Sequence, residues 1–249
     1  MNSPGSALVT GASSGLGAHF ARTLASSGRS VVLAARRIDA LHALKRDIEE
    51  AGGAAEAVAL DVTDERSVDD AFAALDRAGV RVDVVVNNAG LTDARPALDI
   101  TAAGWDRVVD TNLRGVFLVA QAAARRMKDG GGGSIINVAS ILGHRVAGSV
   151  ASYAASKAGV VRLTEALALE WARFGIRVNA LCPGYVETDL NRDFFNSDAG
   201  QALVRRIPQR RLGQPGDLDG ALLLLATDAG RYITGTSLAV DGGHLVSSL

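Results

Sequence analysis

Seven short, nearly continuous apolar runs, separated by longer stretches with apolar residues at helical spacing, constrain this chain more than any other feature. The runs are Ala7 to Thr10, Ser30 to Ala34, Ala57 to Leu60, Val82 to Val86, Ser134 to Ala139, Arg177 to Leu181 and Ser237 to Val240. A strand with one wet face alternates apolar and polar residues. These runs do not alternate, so both faces are expected to be covered by helices, as in an internal parallel sheet. Helical spacing extends roughly over Gly15 to Ser27, Ile38 to Ala51, Ser67 to Ala78, Ala103 to Met127, Ser152 to Arg173 and Asp217 to Thr227. Strand and helix in strict repetition require right-handed crossovers. The predicted fold is therefore α/β, a doubly wound seven-stranded parallel sheet flanked by helices, with ligands beyond the carboxyl ends of the strands.

Of the 249 residues, 48% are hydrophobic. That suffices for one large core burying roughly three quarters of the unfolded surface. Nothing between Gly5 and Gly243 reads as a linker, so one domain over residues 1–249 is expected. Twenty-six basic against 27 acidic residues, without a basic stripe, argue against a nucleic-acid partner. Apolar runs such as Val31 to Ala35 and Ala221 to Ala226 are far shorter than the roughly 20 residues of a membrane span. Met1 to Gly5 shows no charged and apolar leader, and a cytoplasmic location is expected. The single cysteine, Cys182, has no disulfide or metal partner at a familiar spacing and reads as a small buried apolar residue. The glycines from Gly130 to Gly133 read as a flexible connection without function. From Thr188 to Leu212 the rhythm breaks: Phe194, Phe195 and several arginines occur without a strand, which predicts a lid over a substrate.

Directly after the first run comes Thr10-Gly11-Ala12-Ser13-Ser14-Gly15-Leu16-Gly17, within which a helical pattern opens. Glycines there permit a tight turn and let a pyrophosphate approach the backbone and the free amides of a helix N-terminus. The second run ends in Arg36 and Arg37, with no carboxylate to hold adenosine ribose hydroxyls. Arg36, and secondarily Arg37, could instead pair with the 2′-phosphate of NADP. NADP(H) is therefore expected to be preferred, with NAD(H) possible as a second cofactor. Asp61 and Val62 end the third run, and Asn87, Asn88, Ala89 and Gly90 end the fourth, on the same sheet edge. They are expected to hold the adenine and its ribose.

Tyr153 and Lys157, four residues apart in a helical stretch, lie on one helix face. A tyrosine acting near pH 7 needs its pKa lowered by about 3 units, or about 4 kcal/mol. One ammonium at about 4 Å supplies at most about that much, so Lys157, helped by an oxidised nicotinamide, is expected to lower Tyr153. Ser140 ends the fifth run on the same edge, where its hydroxyl could bond the reacting oxygen. Asn112, in the preceding helix, could hold a water that links Lys157 to solvent.

In this order and spacing, Thr10-Gly11-x-x-x-Gly15-x-Gly17, Asn87-Asn88-Ala89-Gly90, Asn112, Ser140, Tyr153-Ala-Ala-Ser-Lys157, and Pro183-Gly184 followed by Thr188 resemble the short-chain dehydrogenases/reductases from about Ser6 to Gly243. The resemblance implies a Rossmann fold and a catalytic tetrad of Asn112, Ser140, Tyr153 and Lys157. Tyr153 would protonate an alkoxide, or deprotonate an alcohol, as hydride moves to or from the nicotinamide. Ser140 would position the carbonyl and Lys157 would also hold the nicotinamide ribose, while Pro183, Gly184, Val186 and Thr188 would meet the nicotinamide. NADP-using relatives often carry a basic residue where this chain has Ser14, which leaves discrimination to Arg36. The pattern is most similar to 3-oxoacyl-carrier-protein reductases and to sugar or polyol dehydrogenases, and its C-terminal segment is similar to homotetrameric members.

Within that frame a 3-oxoacyl thioester and a sugar or polyol both remain open as the small-molecule carbonyl or alcohol partner. A silent nucleotide-binding regulator is the rival of a different class. Metal-dependent hydrolysis is not expected, because His19, His42, His144 and His244 lack paired ligand spacing. His144, Arg145, Val146, Tyr185, Leu190 and Phe194 are expected to shape the substrate pocket.

Overall fold

The computed structural model describes residues 5–187 and 192–247. Its seven strands form one wholly parallel sheet in the order β3-β2-β1-β4-β5-β6-β7. The strands are β1 (Ser6–Thr10), β2 (Val31–Ala35), β3 (Ala55–Ala59), β4 (Val82–Asn87), β5 (Gly133–Val138), β6 (Ile176–Pro183) and β7 (Ser237–Val240). Each predicted run becomes a strand, with ends that coincide or differ by a residue or two. The strand order reverses between β1 and β4, so the loops that follow these two strands part and leave a crevice at the carboxyl edge.

The helices are α1 (Gly15–Ser26), α2 (Ile38–Glu50), α3 (Glu65–Arg77), α4 (Ala102–Val109), α5 (Gly115–Asp129), α6 (Ala151–Trp171), α7 (Arg192–Asn196), α8 (Asp198–Val204) and α9 (Asp219–Ala226). They cover both faces, and two apolar layers result. Phe20, Leu24, Leu41, Leu222 and Leu225 pack with Val9, Leu33 and Val86 on one side. On the other, Phe72, Leu75, Val119 and Met127 pack with Leu8, Val32 and Val85. Adjacent residues of one strand thus enter opposite layers, which is why the runs had to be apolar throughout.

Two local expectations need correction. The stretch Ala103 to Met127 is not one regular helix: a π-type turn over Asp110–Arg114 separates α4 from α5. Its Asn112 side chain is drawn away to bond the backbone of Leu91, and such a turn accommodates the extra residue. The glycine run is not a loose connection either. Gly132 has φ +94° and a Cβ there would lie 2.4 Å from the Gly175 carbonyl oxygen, while the Gly133 amide donates to that same oxygen at 3.2 Å. The glycines let the chain turn against the loop before β6. The segment after β6, expected to hold no strand, contains α7 and α8, the latter capped by the Ser197 hydroxyl, which accepts from the Gly200 amide.

Candidate active site

The turn after β1 is built for close approach. Gly11 and Gly15 have φ of +66° and +55°, which a side chain rarely adopts. At Gly17 a Cβ would fall 2.3 Å from the Gly11 carbonyl oxygen and 2.6 Å from Asn88 Nδ2, so α1 lies directly on the turn. Over Gly15, by contrast, there is open space. Ser14 occupies the N-cap of α1 without making the cap hydrogen bond, and the first turn carries no acid. The helix therefore presents unsatisfied amides to an open cradle whose first turn carries no carboxylate, an arrangement that fits a pyrophosphate. The loop after β4 is tied to the same turn: Thr10 Oγ1 accepts from the Asn88 and Ala89 amides, both at 3.0 Å, and Asn88 Nδ2 donates to the Thr10 carbonyl at 3.0 Å.

The two arginines after β2 take different surroundings. Arg37 Nη2 donates to the hydroxyls of both Ser13 and Ser14 at 3.0 Å, reaching over the glycine turn. The Arg36 side chain is 76% exposed and stands 3.9 Å from Asp61 Oδ2. Arg37 thus places a positive charge beside Ser13 and Ser14. Asp61 Oδ1 is occupied by the amide and hydroxyl of Thr63, at 3.0 and 2.8 Å. Burial raises the pKa of this carboxyl, but the Thr63 bonds and the Arg36 charge outweigh that and leave it below its usual range. Val62 is buried and packs against Gly115, where a Cβ would meet it at 2.8 Å.

Ser140, at the exit of β5, and Tyr153 and Lys157, on α6, line one cleft of about 1760 Å³ together with Asn88, Gly90 and Gly184. This exceeds the roughly 300 to 1,000 Å³ of a typical small-ligand pocket, leaving room for one end of a dinucleotide and a substrate. Lys157 is 4% exposed, and its Nζ donates to the Val138 carbonyl at 2.7 Å. Burial pushes its pKa down to about 8. It stands 5.7 Å from the centre of the Tyr153 ring. Burial raises the Tyr153 phenol, and the adjoining Ser140 hydroxyl is what opposes the rise. The expected lowering of Tyr153 by Lys157 is not present in this arrangement, because the ammonium is turned to a backbone carbonyl and is itself poorly solvated.

That depressed lysine has a consequence for stability. Between about pH 8 and 10.5 the unfolded chain holds a proton on Lys157 that the folded chain does not, so stability from this group rises with pH across that window. Lys157→Met is expected to remove this rise, worth roughly 3 kcal/mol at full extent. Urea unfolding of both forms from pH 7 to 10.5 measures it; parallel pH dependences would show that the buried ammonium costs nothing.

Asn112 is fully buried, and its side chain is already committed. Nδ2 donates to the Leu91 carbonyl at 2.9 Å and to Ser156 Oγ at 3.1 Å, and Oδ1 accepts from the Leu91 amide at 2.8 Å. Both amide protons are used, so a water near Lys157 could find only a remaining Oδ1 lone pair or the main chain here. A Cβ on Gly90 would lie 3.3 Å from Asn112 Oδ1 and 3.6 Å from Lys157 Nζ, which brings these groups to one spot. Beneath the site, Asn87 Nδ2 donates to Asn137 Oδ1 and Asn137 Nδ2 to Thr164 Oγ1, each at 2.9 Å, pinning α6 to β4 and β5.

Pro183, Gly184 and Val186 also line the cleft, whereas Thr188 lies outside the described residues. Of the residues expected to shape the pocket, Arg145, Val146, Tyr185 and Phe194 do so. His144 is not among the lining residues; its Nε2 is 3.8 Å from Cys182 Sγ, and Leu190 lies outside the described residues. Cys182 is fully buried, and burial raises its thiol to about 11. Sequence reasoning did not single out His244, Arg205, Arg206 and Arg210 one by one, although the three arginines fall in the segment expected to cover the substrate, and all four line the cleft. They follow no local motif and reach the cleft only through the chain's return to it.

The fold and cleft define a doubly wound α/β protein whose switch-point crevice runs into a pocket holding a serine, a tyrosine and a buried lysine. A family model described as enoyl-(acyl carrier protein) reductase matches residues 11–244. Gluconate 5-dehydrogenase of Gluconobacter oxydans is 37% identical over 242 residues, covering 97% of this chain and 94% of its own. 3beta-hydroxysteroid dehydrogenase 1 of Eggerthella lenta is 45% identical over 242 residues, covering 95% and 92%. Among solved structures, gluconate 5-dehydrogenase from Burkholderia cenocepacia in complex with NADP and tartrate superposes with a TM-score of 0.95 at 36% identity, over 99% of this chain and 97% of that one. The chain belongs to the short-chain dehydrogenase/reductase family. It is an oxidoreductase that acts on CH–OH groups with a nicotinamide dinucleotide. No helix among the described residues is long and apolar enough to cross a membrane.

Proposed function

We propose that this enzyme interconverts a secondary alcohol and a carbonyl on a sugar or polyol, with Tyr153 moving the proton. The observation that carries this reading is the meeting of Ser140, Tyr153 and Lys157 in the cleft that the glycine crevice enters. The nicotinamide, when bound, supplies or accepts the hydride. In reduction the Tyr153 hydroxyl gives its proton to the nascent alkoxide, and in oxidation its oxygen takes the proton of the alcohol. Ser140, whose Oγ already accepts from the Leu142 amide at 3.1 Å, donates its own proton toward the substrate oxygen and holds it in place. Lys157 holds positive charge and the nicotinamide ribose beside the phenol. Asn112 fixes Leu91 and Ser156 around them.

Gly11, Ser13, Ser14, Gly15, Leu16 and Gly17 would hold the pyrophosphate; Asp61, Val62, Asn88, Ala89 and Gly90 the adenosine; and Pro183, Gly184, Val186 and Thr188 the nicotinamide. The segment over 188–212 would close over the substrate. We assign the enzyme to the cytoplasm as a homotetramer; the exposed apolar Trp105, Leu169, Tyr232 and Val246 support self-association, which light scattering tests. Relatives named for gluconate favour a sugar or polyol over a 3-oxoacyl thioester. Turnover of sugar acids and polyols is expected to exceed that of acetoacetyl thioesters; the reverse order would overturn the substrate class.

NADP(H) is the preferred cofactor in this reading, with NAD(H) accepted more weakly. A 2′-phosphate beside Ser13 and Ser14 would meet Arg37, braced on those hydroxyls, and Arg36, free to swing from its long contact with Asp61. Charge-assisted hydrogen bonds of about 1.5 to 3 kcal/mol correspond to roughly a 10- to 150-fold preference. The double variant Arg36→Ala/Arg37→Ala is expected to erase the gap between NADPH and NADH affinity in a fluorescence titration, and each single variant to narrow it. Equal affinity for the two in the wild type would refute the assignment.

A further inference from the structure

Among its described lining residues, the cleft carries Arg145, Arg205, Arg206 and Arg210 besides Lys157, and no aspartate or glutamate. The whole chain balances 26 basic against 27 acidic residues, so this wall is a local concentration of one sign. Elsewhere on the described surface several arginines meet carboxylates, as Arg22 meets Asp47, Arg126 meets Asp76 and Arg211 meets Asp217. Two of the cleft arginines turn to neutral acceptors. Arg145 Nη1 donates to the His244 carbonyl and weakly to Ser247 Oγ, 3.4 Å away, and Arg210 Nη1 donates to the Arg205 carbonyl. Of the five N–H donors of a guanidinium, those bonds use few, and the planar fork is suited to an oxyanion.

His244 gives a second, independent sign. It lines the cleft, is 6% exposed, and its Nδ1 has no hydrogen-bond partner among the described residues. A buried polar atom left without a partner costs on the order of a hydrogen bond and points to a missing ligand. Burial, followed by the charges of Arg145 and then Arg206 and against the pull of Asp241, holds its pKa below the usual range, so the two guanidinium fields meet at this ring. Like charges gathered without counterions repel one another, and a cleft of one sign concentrates ligands of the other.

We propose that this arginine wall and His244 bind an oxyanion carried by the substrate itself, a carboxylate or a phosphate, away from the carbon that gains or loses hydride. The substrate class then narrows from polyols in general to hydroxy acids, keto acids and their phosphorylated counterparts. This rests on the reading of the cleft as the substrate site of an alcohol–carbonyl oxidoreductase.

The test is calorimetric titration of the NADPH-loaded enzyme with matched compounds: gluconate, glucitol 6-phosphate and neutral glucitol. The acid or the phosphate is expected to bind at least about 10-fold tighter than glucitol, and whichever is tighter identifies the oxyanion. Arg206→Gln, an exposed position where folding is not at stake, should collapse that preference, and Arg145→Gln should do the same. In turnover, the loss should enter through KM and not kcat. Glucitol binding as tightly as both anions, no binding of any of the three, or a preference that survives both substitutions would each overturn the proposal. Tyr153→Phe keeps the two readings apart, because it should retain the anion preference in the titration whether or not the wild type turns over these compounds.

Discussion

Tyr153→Phe is expected to lower kcat by about 10³-fold in both directions while leaving NADPH affinity within a few-fold, since one positioned proton donor is worth roughly 10² to 10⁴ in rate. Everything else in the cleft survives the change. Lys157 stays on the Val138 carbonyl, Ser140 keeps its bond to the Leu142 amide, and the ring still fills its place. What disappears is the oxygen that exchanges a proton with the substrate. Because burial raises the phenol, it holds its proton through neutral pH. Carbonyl reduction by the wild type should therefore be nearly flat through neutral pH and fall only at alkaline pH, whereas alcohol oxidation should climb as pH rises and the phenol ionises. Stopped-flow absorbance of the reduced nicotinamide against pH reads both limbs. A phenylalanine variant that retains more than about one tenth of wild-type kcat would remove Tyr153 from the proton transfer, as such an effect lies below the range for general acid catalysis.

Gly17→Ala should nearly abolish dinucleotide binding, although it adds one methyl group. That carbon would stand 2.3 Å from the Gly11 carbonyl oxygen and 2.7 Å from its carbon, and neither can move without displacing the turn after β1. Overpacking of this kind costs about 1 to 3 kcal/mol or more. Here the displaced atoms are the ones that cradle the pyrophosphate, so affinity should fall by at least about 100-fold, the equivalent of the upper part of that range. Gly15→Ala is the control. Space over Gly15 is open, but its φ of +55° makes a side chain costly by about 1 to 2 kcal/mol. It should lower the melting temperature with a smaller loss of affinity than Gly17→Ala. If Gly17→Ala instead bound NADPH like the wild type, the packing of α1 on the turn would not be what forms the cradle.

Strands and most helices were legible because burial on both faces leaves a mark at every residue, not only at alternate ones. The glycine turn, Tyr153 and Lys157 were legible because local spacing carries them. Other features had no local signal. The π-type turn at Asn112 depends on Leu91, 21 residues away, whose backbone draws the side chain in. The order of the two arginines depends on how the chain leaves β2: Arg37, with φ −87° and ψ 86°, sends its side chain back over Ser13 and Ser14.

By itself, the amino-acid sequence determined that this protein is a doubly wound sheet with a dinucleotide crevice and a helix bearing Tyr153 and Lys157, since periodicity and glycine placement act within a few residues. Only the tertiary structure decided that Lys157 is turned to the Val138 carbonyl, that Arg37 and not Arg36 braces the phosphate turn, and that Arg145, Arg206 and His244 share one wall. Those relations join segments up to 99 positions apart, and they exist because packing, not spacing, sets which side chains are left facing the cleft.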